Sequence, residues 1–164
     1  ITPKMSFGTG HHQTTYMLLQ HLLDIDLEGA SVLDMGCGTG VLAVLSEKKG
    51  GAPIDAIDIE PWCYENTKEN ALLNNCKSIR AYQGDSSLLV DKKYDVIIAN
   101  INKNVLIKDI SVYSLSLNIG GTLLLSGFYT SDLEDIENSC ERVQLEYVSH
   151  LKKQNWVAAK FSKI

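Results

Sequence analysis

Three glycines at alternate positions, Gly36, Gly38 and Gly40, follow the short apolar run Val32-Leu33-Asp34-Met35 and lead into an apolar, helix-like segment from Val41. The order is that of a strand, a tight loop and a helix start. Glycine tolerates positive φ and lets a ligand approach the main chain where a Cβ would collide, so three of them at one strand end imply a bound small molecule.

The rest of the chain repeats this rhythm. A helix is expected to begin near Thr14 or Thr15 and to end before Gly29, with Met17, Leu18, Leu19, Leu22 and Leu23 on its apolar positions. Strands are expected at 31–35, 54–59, 79–83, 94–99 and 122–126. Between them, Pro61 suits a first helical position in a segment ending at Asn74-Asn75. Asn104 is expected to cap a helix that runs to Asn118 and stops at Gly120-Gly121. Ser131-Asp132-Leu133-Glu134 has capping-box spacing. Strands alternating with helices favour a parallel sheet covered on both faces. The tail differs: only residues 152–155 separate strand-like stretches at 143–151 and 156–161. That gap is too short for a crossover, so the two should pair as an antiparallel hairpin. The expectation is an α/β fold with a seven-stranded, mostly parallel sheet and one antiparallel member.

At 164 residues the chain has the length of one domain. Its net charge of −5, with Arg80 and Arg142 the only arginines, argues against a nucleic-acid backbone as the main partner and suits a basic one. No apolar run approaches the roughly 20 residues needed to span a bilayer. Cys37, Cys63, Cys76 and Cys140 make no Cys-x-x-Cys pair and read as reduced thiols of a cytoplasmic protein. The chain opens in mid-flow at Ile1 without an initiator methionine, as expected of a domain cut from a longer protein.

In an open parallel sheet, ligands bind beyond the carboxyl ends of the strands near the switch in strand order. The residues there are the three glycines, then Asp58, suited to the hydroxyls of a ribose, then Gly84-Asp85-Ser86, then Asn100. A dinucleotide site has Gly-x-Gly-x-x-Gly. Here the spacing is Gly-x-Gly-x-Gly, and Asp34 just upstream suits a cation better than a pyrophosphate. Glycines so spaced, with acids on the first two strands and Gly-Asp on the third, point to S-adenosylmethionine, a sulfonium.

Further segments add specificity. Ser6-Phe7-Gly8-Thr9-Gly10-His11-His12-Gln13-Thr14-Thr15, Asp34-Met35-Gly36-Cys37-Gly38-Thr39-Gly40, Ala56-Ile57-Asp58-Ile59-Glu60-Pro61 and Ala99-Asn100-Ile101 occur in that order. Together they resemble the motifs of the PrmA family of ribosomal protein methyltransferases, over essentially the whole chain. His11 and Gln13 replace the family's usual threonine and proline, and Asn102-Lys103 stands where a leucine and a small residue are commoner. The resemblance implies the class I S-adenosylmethionine-dependent methyltransferase (Rossmann-like) fold. It implies cofactor contacts at Thr15, Gly36, Asp58 and Asn100, with Phe7, Gly8, Thr9 and Gly10 folding over the methionine end. Asp34, Gly38, Gly40 and Ile59 complete the expected cofactor-binding set, with Asp85 and Ser86 on the adenine side, and S-adenosylhomocysteine is the implied product. The implied substrate is protein eleven of the large ribosomal subunit, methylated on lysine side chains and on its α-amine. The implied partners include neither nucleic acid nor membrane, the enzyme is expected to be a cytoplasmic monomer, and the smaller N-terminal domain with which the family captures substrate is expected to be absent here.

Asn100 is the expected catalytic residue: beside the methyl, its side-chain or backbone carbonyl would accept a hydrogen bond from the amine and aim the lone pair. Other readings stay open. Cys37 has no basic partner that would make it a nucleophile. His11 and His12 lack a third metal ligand. Trp62 and Tyr64 are expected in helix packing, Trp156 in sheet packing. The runner-up readings are a methyltransferase of another protein or small amine and a cofactor-binding module without catalysis; a nicotinamide dehydrogenase fails on the glycine spacing.

Overall fold

The computed structural model describes residues 1–2 and 12–164. The expected cofactor contacts Phe7, Gly8, Thr9 and Gly10 lie outside the described residues, as does His11. In chain order the elements are α1 (Gln13–Leu23), β1 (Val32–Met35), α2 (Val41–Lys48), β2 (Ile54–Asp58), α3 (Pro61–Leu73), β3 (Ile79–Gln83), β4 (Tyr94–Asn100), α4 (Lys103–Ser116), β5 (Leu117–Tyr129), α5 (Leu133–Glu141), β6 (Leu145–Lys153) and β7 (Trp156–Lys163). A short 3₁₀ turn at Ser86–Leu89 follows β3, and another at Thr130–Asp132 follows β5.

The strands form one sheet in the order β3-β2-β1-β4-β5-β7-β6. All neighbours from β3 to β5 pair parallel, whereas β7 runs antiparallel to both β5 and β6. One antiparallel member inside a seven-stranded sheet is what the short gap before Trp156 requires. The strand order reverses between β1 and β4, leaving a crevice where their crossover helices diverge.

Alternation along β1 divides the core. Leu33 and Met35 join Ile57, Ile97, Ala99 and Leu125 under α4 and α5, through Leu106, Ile110, Tyr113 and Ile136. Val32 joins Ile54, Val96, Ile98 and Leu124 on the opposite face, under Met17, Leu18 and Leu22 of α1 and Leu42 of α2. Burying each such side chain contributes roughly 1.5–3 kcal/mol, and helices cover both faces as a parallel sheet demands. His21 ties α1 to the antiparallel strand through Nε2 and the Ala158 carbonyl at 2.9 Å.

Three expectations at element ends are corrected. The cap of α4 is Asn102, whose Oδ1 accepts the Val105 N–H at 3.2 Å, and not Asn104. That helix ends at Ser116: Leu117 is already extended and pairs with Tyr94, so Gly120-Gly121 lies within β5 rather than stopping the helix. The capping box ahead of α5 is formed by Tyr129 and Asp132, because β5 runs on to Tyr129 and Asp132 Oδ2 accepts its N–H. β5 bulges between Ser126 and Phe128, where Gly127 has φ 99° and a Cβ would collide with the Ile101 backbone. Strand β5 thereby packs tightly against the segment following β4.

Candidate functional site

A cavity of about 510 Å³ opens at the carboxyl ends of β1, β2 and β4, beside the reversal of strand order. Its size suits a nucleoside-sized ligand. Gly36 and Gly38 form one wall, with φ of 74° and 55°. The loop is anchored from beneath: Gly36 and Cys37 donate to the Ile57 carbonyl at 2.8 and 3.1 Å. Helix α3 anchors it from the side with polar residues that would be costly to bury unpaired. Thr67 Oγ1 donates to the Gly38 carbonyl at 3.0 Å and Asn70 Nδ2 to the Thr39 carbonyl at 2.9 Å. Those contacts explain why α3 buries Thr67 and Asn70 where an ordinary amphipathic helix buries aliphatic residues; Asn66, buried beside them, donates instead to the Thr2 carbonyl at 2.6 Å.

Asp58 ends β2 on the same wall. Its Oδ2 accepts the Gly38 N–H and its Oδ1 the Glu60 N–H, both at 3.0 Å. Each oxygen retains a lone pair, so the carboxylate is held in place and can still accept from a ligand. Ile59, 66% exposed, and Trp62 flank it at the cavity mouth. Trp62 therefore lies on the cavity wall, not in the helix packing expected of it. Asn100 ends β4 across from the glycines. Its Nδ2 donates to Thr15 Oγ1 at 3.3 Å, which leaves Oδ1 as the acceptor of that amide. Thr15 itself is buried and off the cavity wall, reaching the site through Asn100.

Asp34 and Gly40 are placed differently from Asp58. Asp34 shares its side of the sheet with Val32, away from the cavity, and is fully enclosed. Its Oδ2 accepts the Ala43 N–H at 3.2 Å in the first turn of α2, and its Oδ1 has no hydrogen-bond partner among the described residues. Burial, offset by the Ala43 bond and assisted by the Asp58 charge, raises its pKa to about 7. A direct contact with a cationic ligand is thus not made by the described geometry, because strand alternation turns the side chain to the other face. Gly40 caps α2 at φ 83°, where an added Cβ would stand 2.8 Å from Thr67 Cγ2. It serves the packing of loop on helix.

Asp85 lines the cavity at the end of β3 and caps the 3₁₀ turn, its Oδ1 accepting the Ser87 N–H at 2.9 Å; hydrogen bonds from Ser87 hold its pKa down. Ser86 falls instead in an adjoining cavity of about 610 Å³ with Lys92, Lys93 and Lys108. Cys37 is buried, and burial followed by the Asp34 charge pushes its thiol pKa far up, opposite to an activated nucleophile. All four cysteines are free. Among the described residues no cluster of His, Cys, Asp or Glu could hold a metal ion, and no helix is long and apolar enough to cross a membrane.

The sequence reading missed one side of the cavity. Asn102, Val105 and Asp109 project there from α4. Their spacing is that of a single helix face, a signal readable once Asn102 is known to cap the helix.

A sheet of this order, with its glycine loop and strand-end acid at the reversal point, is the class I S-adenosylmethionine-dependent methyltransferase fold. Residues 1–163 match the family described as ribosomal protein L11 methyltransferase (PrmA), and the chain belongs to that family. It is 50% identical over 163 residues to a ribosomal protein L11 methyltransferase of Porphyromonas gingivalis, covering 99% of this chain and 56% of that protein. The corresponding protein of Phocaeicola vulgatus is 47% identical, with 98% and 58% covered. The chain thus spans just over half the length of these curated relatives. Among solved structures, a ribosomal protein L11 methylase from Lactobacillus delbrueckii subsp. bulgaricus superposes with a TM-score of 0.89 at 28% identity, over 96% of this chain and 81% of that one.

Proposed function

We propose that the chain is the methyl-transfer domain of an S-adenosylmethionine-dependent protein N-methyltransferase acting on amino groups of ribosomal protein L11. The observation that carries the reading is the joint presence of Gly36, Gly38, Asp58 and Asn100 on one cavity at the reversal of strand order. The residues fit the cofactor: Asp58 keeps acceptor capacity for vicinal hydroxyls, Met35, Ile57 and Ile101 supply an apolar slot for a purine, and acidic groups rather than cations surround a ligand that carries positive charge. When bound, the cofactor supplies a methyl already activated by its sulfonium.

The protein then has to hold an amine lone pair in line with that methyl, and positioning of this kind lowers a barrier by about 7–11 kcal/mol. The amine must be neutral. For a lysine of ordinary pKa about 10.4 this costs roughly 4.6 kcal/mol at pH 7, a cost that desolvation in a closed site reduces. Asn100 Oδ1 is the group proposed to accept a hydrogen bond from the amine and orient it, with Thr15 holding the amide from behind. The described geometry includes no general base in that position. Asp34, though off the wall, is proposed to act at a distance: a cation bound nearby favours its ionised form.

Capture of the ribosomal protein is assigned to a further domain outside this chain, consistent with relatives almost twice as long. The reading carries with it a cytoplasmic, monomeric enzyme with no direct contact to nucleic acid or membrane, and a net charge of −5 suits a basic substrate protein. The test is a methyl-transfer assay on ribosomal protein L11, with calorimetry using S-adenosylmethionine and NAD alongside. Heat with S-adenosylmethionine alone and slow methylation by the isolated domain are expected. Absence of binding at millimolar S-adenosylmethionine would refute the proposal.

A further inference from the structure

The side of the cavity formed by α4 holds a carboxylate that the methyl-transfer reading leaves unused. Asp109 is only 6% exposed, yet lines the cavity together with Asn102 and Val105. At 1.5 Å per residue, the stretch from Asn102 to Asp109 runs about 10 Å along the helix. It starts beside Asn100 and ends next to the turn after β3: the neighbouring Lys108 acts on the charge of Asp85, and Lys108 and Val112 share the adjoining cavity with Ser86. Asp109 therefore sits at the end of the cavity remote from the proposed methyl-transfer point.

Met35, Ile57, Ile101 and Val105 line the same cavity, an apolar lining suited to a flat heterocycle. One turn along the helix is the buried Tyr113 hydroxyl, which points its polar interaction at Asp109 without reaching ideal hydrogen-bond geometry; burial, then the Asp109 charge and that side-chain interaction, push its pKa well up. No other hydrogen bond or ion pair to the Asp109 carboxylate is made among the described residues. A carboxylate offers about four acceptor sites, of which the Tyr113 hydroxyl can meet at most one, and leaving the others unmet in a nearly enclosed position is costly. A ligand N–H donor would relieve that cost. Asp85, in contrast, is exposed and already engaged with Ser87, so solvent competes for it.

We propose that Asp109 reads the purine of the cofactor by accepting a hydrogen bond from its exocyclic 6-amino group, setting adenine apart from a 6-oxo purine. This deepens the methyl-transfer reading and rests on it. The chemistry is specific because a 6-oxo purine places an oxygen against the carboxylate, and sites built around a buried hydrogen bond reject analogues lacking the donor strongly.

The experiment is calorimetric titration of the chain with S-adenosylhomocysteine and with S-inosylhomocysteine, for wild type, Asp109→Asn, Asp109→Leu and Asp85→Asn, with circular dichroism establishing that each is folded. Wild type should prefer the amino compound by about a hundredfold or more. Asp109→Asn, which is isosteric and offers an N–H to the oxo group, should bring the ratio to within about threefold of one, and Asp109→Leu should do the same while weakening the amino compound. Asp85→Asn should retain most of the preference. A wild type that does not discriminate, a ratio that survives both Asp109 substitutions, or one that vanishes with Asp85→Asn alone overturns the proposal. Failure of wild type to bind S-adenosylhomocysteine at all instead overturns the methyl-transfer reading beneath it.

Discussion

The ends of β1 and β2 are neighbours in the sheet, each carries an acid, and each runs into a helix, yet the two junctions do opposite work. At the end of β2, Asp58 is partly exposed, held by two backbone N–H groups and open to the cavity. At the end of β1, Asp34 is sealed beneath α2, bonded to Ala43, and half-neutral near pH 7. The difference follows from strand alternation and from the left-handed Gly40, which swings α2 over Asp34. Identical chemistry one strand apart becomes an acceptor facing the cavity in one case and part of the scaffold in the other.

The sharpest way to break this contrast is Asp58→Ala. Cofactor affinity should fall by about a hundredfold or more, corresponding to loss of charge-assisted hydrogen bonds, while the protein still melts cooperatively. Unchanged affinity by calorimetry would remove Asp58 from the site. At the other junction, Gly40→Ala should act on stability: a positive φ combined with a 2.8 Å approach to Thr67 should cost about 2–4 kcal/mol in denaturant unfolding. Little loss of stability would mean that α2 does not depend on this left-handed cap.

Asp34→Asn should act through pH. Because the native state holds the Asp34 proton more tightly than the unfolded chain does, the stability it contributes is complete below pH about 4 and is lost as pH rises through about 7. The cost above that point is of order 4 kcal/mol. The asparagine variant should therefore show a flatter stability profile between pH 4 and 8 and gain most over wild type at pH 8. Parallel profiles for the two proteins would show that Asp34 does not titrate in this window.

Thr15→Val tests whether the buried threonine works through Asn100. Turnover should fall by about tenfold, with cofactor affinity changed by less than about threefold, since the loss is of orientation. A large affinity loss with unaltered turnover would make Thr15 a direct contact instead. The smallest effect is optical: Trp62 lines the cavity whereas Trp156 lies against Tyr129, with ring centroids 4.2 Å apart. Cofactor should therefore change the tryptophan fluorescence of wild type but not of Trp62→Phe, and a signal that persists in the variant would move Trp62 off the wall.

Much of the molecule was legible from local pattern. Ile79–Gln83 is the strand expected, Pro61 opens α3, and the short gap before Trp156 led directly to the antiparallel β7. Periodicity, proline and connection length act over a few residues, so a sequence displays them. What went astray sits where tertiary contacts override local signals: Leu117 pairs with Tyr94 instead of continuing α4, and Asp132 bonds Tyr129 rather than leaving Ser131 to cap.

The site divides along the same line. The glycine loop, Asp58 and Asn100 are visible in the sequence because tight turns and strand ends demand particular residues at particular spacings. Their assembly into one cavity, the turning of Asp34 away from it, the backing of Asn100 by Thr15 and the arrival of Asp109 were decided only by the tertiary structure. Those outcomes depend on which face a strand residue occupies and which helix packs over it, and both are set by contacts between residues far apart in the chain.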